Sequence, residues 1–117
     1  MVKIYCLDVC STCKKAEKFL KENNVEYERI ELRNYSLSRE EIEEIKNFSG
    51  LPYNKLFNTS GLMYKDLGLA KKLPNMSEEE IIETLTSSGK IVKRPILIVG
   101  NKAVLGFKED KYKELLK

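Results

Sequence analysis

Cys10-Ser11-Thr12-Cys13 carries the most specific chemistry in this chain. Two thiols three positions apart span nearly one helical turn. A disulfide can close between them if Cys13 sits on a helix and Cys10 at its start. Cys10 would then face the positive end of the helix dipole and unpaired backbone N–H groups. Lys14 and Lys15 follow at once and add positive charge. These features favour the thiolate, which is the attacking species. Cys13, one turn further in, would be shielded and suited to resolving a mixed disulfide. The same spacing can be half of a zinc site, but no His and no second Cys pair supply the other half. Cys6 extends the pattern toward an iron–sulfur ligand run, and two inert free thiols are a further reading. Cys6 falls in phase with Val2 and Ile4 on a strand pattern, which makes it a small buried hydrophobe.

The rest of the composition narrows the chemistry. The chain has 117 residues, of which 42% are hydrophobic and 33% charged, so it reads as one globular domain over residues 1–117. The absence of His removes Ser-His-Asp and Cys-His catalysis and histidine switching. No metal and no organic cofactor is expected, only an external thiol. Lys and Arg total 21 against 18 Asp and Glu, a net charge of +3 with no basic run interleaved by aromatics. Direct nucleic-acid binding is therefore not expected. No apolar run reaches the roughly 18–20 residues of a membrane span. The first residues run straight into a strand pattern with no secretory core, so a cytoplasmic protein is expected.

The elements that must position the thiols follow from periodicity. Val2 to Leu7 alternates as a strand. From Cys10, a helical stripe of Cys13, Ala16 and Leu20, with Phe19 beside it, runs to Asn23-Asn24. Val25 to Leu32 forms a second strand whose alternation breaks near Arg29, at a bulge or an edge position. A helical insert covers about 37–89. Ser38 with Glu41 and Ser77 with Glu80 form capping boxes, and Leu37 with Ile42 and Met76 with Ile81 form hydrophobic staples. Gly50 ends the first of these helices and Gly89 the last. A short helix around Tyr53 to Phe57 and a helix over Met63 to Lys72 lie between. Ile96 to Val99 reads as a central strand, Gly100-Asn101 as a hairpin turn and Lys102 to Phe107 as its partner. Asp110 to Lys117 closes the chain as a helix. The order β-α-β, helical insert, β-β-α predicts an α/β fold with a thioredoxin-like mixed sheet.

Lys93-Arg94-Pro95 precedes the central strand. On its own, Pro95 can simply mark a strand boundary and Arg94 a surface charge. Taken with Cys10-Ser11-Thr12-Cys13-Lys14-Lys15-Ala16 opening a helix, it resembles the arsenate reductase-related (ArsC/Spx) family. Lys55-Leu56-Phe57-Asn58-Thr59-Ser60-Gly61, Tyr64, Leu67, Met76-Ser77-Glu78-Glu79-Glu80 and Gly106-Phe107 extend the resemblance over essentially the whole chain. It implies a cis Arg94-Pro95 bond beside the thiols, with Cys10 as nucleophile and Arg94 as an oxyanion contact. Arsenate reductases of this type use three arginines, and only Arg94 is present. The other two positions fall at Asn58 and near Gly106-Phe107. Fixed guanidinium donors are hard to replace. The Spx branch, redox-sensing regulators that bind the RNA polymerase α subunit, shares the Cys pair, and Gly50 resembles its polymerase-contact glycine. It expects an arginine near Asn58 and a basic C-terminal extension, and this chain has neither. The YusI/YffB-like branch is the nearest likeness.

The leading expectation is a cytoplasmic thiol–disulfide oxidoreductase acting on a protein disulfide or small mixed disulfide. Cys10 and Cys13 do the chemistry. Arg94, Pro95, Lys14, Ser11 and Thr12 surround the thiolate or substrate. Glutathione-like thiol, thioredoxin or glutaredoxin restores the protein. A redox-gated regulator and an arsenate reductase are the alternatives.

Overall fold

The computed structural model describes residues 2–116. Its centre is a four-stranded sheet of β1 (Val2–Cys6), β2 (Glu28–Glu31), β3 (Ile96–Val99) and β4 (Lys102–Leu105), in the order β2-β1-β3-β4. β1 and β2 run parallel and are joined through helix α1 (Ser11–Glu22); β3 pairs antiparallel with both β1 and β4. This is the mixed, thioredoxin-like sheet expected. Between its halves lie α2 (Arg39–Ser49), α3 (Leu62–Asp66), α4 (Leu69–Lys72) and α5 (Glu78–Leu85), and α6 (Glu109–Leu115) ends the fold.

Strand alternation divides the core into two layers. Tyr5, Leu7, Ile96, Ile98 and Leu105 face the insert and pack with Ile42 and Ile45 of α2 and Leu85 of α5. Ile4, Cys6, Leu97 and Val104 face the other way, onto Cys13, Ala16, Phe19 and Leu20 of α1 and Tyr112 of α6. Phe19, Phe107 and Tyr112 stack edge-on or tilted, with centroids 5.1–5.9 Å apart. Each fully buried aliphatic side chain here contributes roughly 1.5–3 kcal/mol. Both faces of β1 are therefore covered, and its C-terminal end is held where it delivers the Leu7–Cys10 loop.

Local signals behave as expected in most places. Both capping boxes form, with Ser38 Oγ accepting from the Glu41 N–H at 3.1 Å and Ser77 Oγ from the Glu80 N–H at 3.2 Å. Gly50 caps α2 in the left-handed region. β2 is the sheet edge, which accounts for its broken alternation at Arg29.

Several boundaries differ, and β2 and β4 are shorter than the expected Val25 to Leu32 and Lys102 to Phe107. The expected helix over Met63 to Lys72 is broken into α3 and α4, because Gly68 adopts φ 64 and starts a new turn. The expected short helix around Tyr53 to Phe57 is a single 3-10 turn at Tyr53–Lys55, after which Phe57 bridges to Val92. Gly89 does not cap α5, which already ends at Thr86. Its role is close approach: a Cβ there would meet the Tyr35 carbonyl oxygen, and the Leu32 carbonyl oxygen at 2.7 Å. The last helix starts at Glu109, and Lys117, its expected final residue, lies outside the described residues.

Candidate active site

Leu7 ends buried and Val9 is 67% exposed, so the chain turns outward between them. A bond from the Cys10 N–H to the Leu7 carbonyl, 3.0 Å, tightens that turn. Cys10 then becomes the N-cap of α1 in extended backbone geometry. N-caps are usually Ser, Thr, Asp or Asn, whose oxygen accepts an orphan N–H. Here the Cys10 sulfur does so, accepting from the Cys13 N–H at 3.4 Å. Cys10 is half-buried at the surface, while Cys13, one turn on, is 1% exposed.

Cys6 packs as expected: it is fully buried, in the same cluster as Cys13. The neighbouring Cys13 and burial push the Cys6 thiol up. Cys6 in turn draws the Cys13 thiol down against the opposing cost of burial. The Leu7 N–H, the contact with Cys10 and the Arg94 charge act in the same direction. A third cysteine thus lies against the buried thiol of the pair.

The β1–β3 register aligns Tyr5 with Ile96, so the next step along each strand sets Pro95 across from Cys6. Arg94-Pro95 is cis, as the resemblance implies, and Pro95 is buried. The Gly106 N–H donates to the Pro95 carbonyl at 2.8 Å, which brings the Gly106-Phe107 corner to the same end of the sheet. Arg94 is not a free surface charge. Its Nη1 donates to the Lys90 carbonyl at 3.1 Å, while its Nε is buried with no hydrogen-bond partner among the described residues. A buried guanidinium N–H without an acceptor is unusual and calls for one.

The other expected contributors are peripheral. Ser11, Thr12, Lys14 and Lys15 are all exposed on the first turns of α1. Asn58 is occupied by its own turn: its N–H donates to the Ile91 carbonyl at 2.8 Å, and its Oδ1 accepts from Ser60 at 3.2 Å. Among the described residues, no three Cys, Asp or Glu side chains converge on a metal-sized site. Nor is any helix there long and apolar enough to cross a membrane.

A match to the ArsC family spans residues 5–115. The chain belongs to the ArsC family. Within it, the chain is similar to the protein YusI of Bacillus subtilis, 43% identical over 110 residues that cover 94% of this chain and 93% of YusI. The solution structure of SACOL0876 from Staphylococcus aureus is 46% identical, covers 98% of each chain and superposes with a TM-score of 0.84. A more distant relative is the global transcriptional regulator Spx 1 of Bacillus cereus, 25% identical over 99% of this chain and 87% of Spx 1. Beyond the positions expected, Cys6 sets a third thiol beside this ArsC-family site. Sequence reasoning could have found it only from its place between a strand end and the helix stripe it faces.

Proposed function

We propose that this ArsC-family protein is a cytoplasmic thiol–disulfide oxidoreductase that works through Cys10 and Cys13. The observation that carries the reading is the division of roles on one helical turn. Cys10 is reachable at the helix N-terminus, and Cys13 is shielded behind it with a lowered thiol pKa.

The Cys10 thiolate attacks one sulfur of a disulfide R–S–S–R′. The R′S⁻ group leaves and takes a proton from solvent, and Cys10–S–S–R remains. The Cys13 thiolate then attacks the Cys10 sulfur and expels RS⁻, so that the substrate gains two electrons and Cys10–Cys13 becomes the disulfide. An external dithiol of the thioredoxin or glutaredoxin type, or two glutathione-like thiols, reduces it again. Pro95 walls the groove that receives the substrate disulfide. The unclaimed Arg94 Nε supplies a donor to an anionic group of substrate or to the leaving thiolate.

Trapping tests this. In Cys13→Ser protein, a chromogenic mixed disulfide should accumulate on Cys10 and be visible by mass. Cys10→Ser protein should form none and show no disulfide-reducing activity. Equal activity in wild type and both variants overturns the reading.

Likeness to Spx 1 supports a second reading, a protein that binds the RNA polymerase α subunit when the pair changes redox state. A pull-down with that subunit, oxidised against reduced, separates the two. Arsenate reduction draws less support, since Asn58 and Gly106 carry no guanidinium beside Arg94.

A further inference from the structure

Charge is distributed unevenly between the two edges of the sheet. At the β2 edge, cations are matched: Arg29 pairs with Glu17 and Glu31, and Arg33 pairs with Asp8 at 2.7 Å. At the β4 edge they are not. Lys55, Lys93, Lys102, Lys108 and Lys111 are all exposed, and none makes an ion pair among the described residues. They come from separate segments: the turn after α2, the loop before β3, the start of β4 and the approach to and first turns of α6. They line two adjoining clefts of about 270 and about 310 Å³ that share Ser49, Ala103, Val104 and Lys111. Glu114 is the one carboxylate lining them among the described residues.

The trench follows β4, an edge strand that leaves backbone donors and acceptors unpaired. A single edge lysine commonly serves to repel stray strands. Five lysines converging from four segments do something more selective, because they repel a basic or neutral strand and attract an acidic one. The trench also opens at the reactive end. Lys93 adjoins Arg94, its Cε lies 3.5 Å from where a Gly106 Cβ would sit, and Gly106 bonds to Pro95.

We propose that the β4 trench docks an extended acidic segment of the protein whose disulfide Cys10 attacks, added alongside β4 as a further strand. Main-chain pairing holds the segment, and the lysines select its charge and register. The inference rests on the thiol–disulfide reading for the identity of the partner, but docking itself can be read without turnover.

The experiment uses full-length Cys10→Ser protein and fluorescein-labelled peptides of alternating Glu and Val, or alternating Lys and Val, at low salt. The Glu-Val peptide should bind, weaken as salt rises, and shift the backbone amides of residues 102–105. Combined Lys93→Glu, Lys108→Glu and Lys111→Glu should weaken it by roughly tenfold or more, and the three glutamines by less. Combined Lys18→Glu and Lys21→Glu on α1 should leave it within about twofold. Equal losses in the trench and α1 variants, unmoved β4 amides, or equal binding of the Lys-Val peptide overturns the proposal. In a parallel assay of wild-type activity, a protein that docks the peptide yet reduces no disulfide overturns the functional reading and leaves the trench. One that reduces small disulfides but ignores the peptide does the reverse.

Discussion

The Cys13 backbone N–H points at the Cys10 sulfur, 3.4 Å away, so the nucleophile is also the N-cap of its own helix. Stability and redox chemistry therefore meet in one atom and can be separated by substitution. Cys10→Ser puts a better N-cap oxygen at the same place and should fold at least as stably as the wild type while being inert toward disulfides. Cys10→Ala should lose the cap and about 0.5–2 kcal/mol. Urea denaturation of the reduced proteins measures the difference.

Cys6 makes a second prediction. Its thiol, packed in one cluster with Cys13, draws the Cys13 thiol down, so Cys6→Ala should let that thiol rise toward the ordinary value of about 8.5. The resolving step needs the Cys13 thiolate. Release of a chromogenic thiol from the Cys10 mixed disulfide should therefore slow near neutral pH and match the wild type once the pH is well above the free-thiol value. Cys6→Ser keeps a donor and should restore most of the neutral-pH rate. An unchanged pH profile in Cys6→Ala would remove the role assigned to Cys6.

Glu41 ties the insert to the sheet. Its carboxylate closes the α2 capping box and accepts from Tyr5 at 2.7 Å and from Tyr35 at 2.6 Å. Burial opposes the charge, but these bonds prevail and hold Glu41 below the usual carboxylate range. A carboxyl depressed in the folded state adds stability above its unfolded pKa. That stability is lost as the pH falls through the folded value. Acid should thus weaken the wild type below about pH 4.3, where an unfolded Glu begins to protonate. Glu41→Gln should flatten that dependence and cost about 1–3 kcal/mol at neutral pH, read from denaturation midpoints across pH.

Gly89 has no room for a side chain. Gly89→Ala drives a methyl into the Leu32 and Tyr35 carbonyls, backbone that cannot swing aside as a side chain would. A loss of roughly 2–4 kcal/mol is expected by chemical denaturation. Gly50→Ala, with open space but φ 73, should cost only about 1 kcal/mol.

Much of this was legible in the chain itself. The stripe of Cys13, Ala16 and Leu20, the capping pairs Ser38–Glu41 and Ser77–Glu80, and the Gly100-Asn101 turn all act within a few residues. Their physics is complete in a local window, so spacing alone determined them. Cys10 at the head of α1 belongs with these. The packing of Cys6 with Cys13, the Tyr5 clamp on Glu41, the closeness of Gly89 to Leu32 and the unpartnered Arg94 Nε were decided elsewhere. Each joins positions that periodicity can assign to a face but not to a neighbour. Only the parallel crossover through α1, the β1–β3 register and the folding of the insert over one face bring them within bonding distance. The same holds for the lysines at β4. Along the chain they are scattered between positions 55 and 111, and only the tertiary fold gathers them at one edge of the sheet and leaves the matched ion pairs at the other.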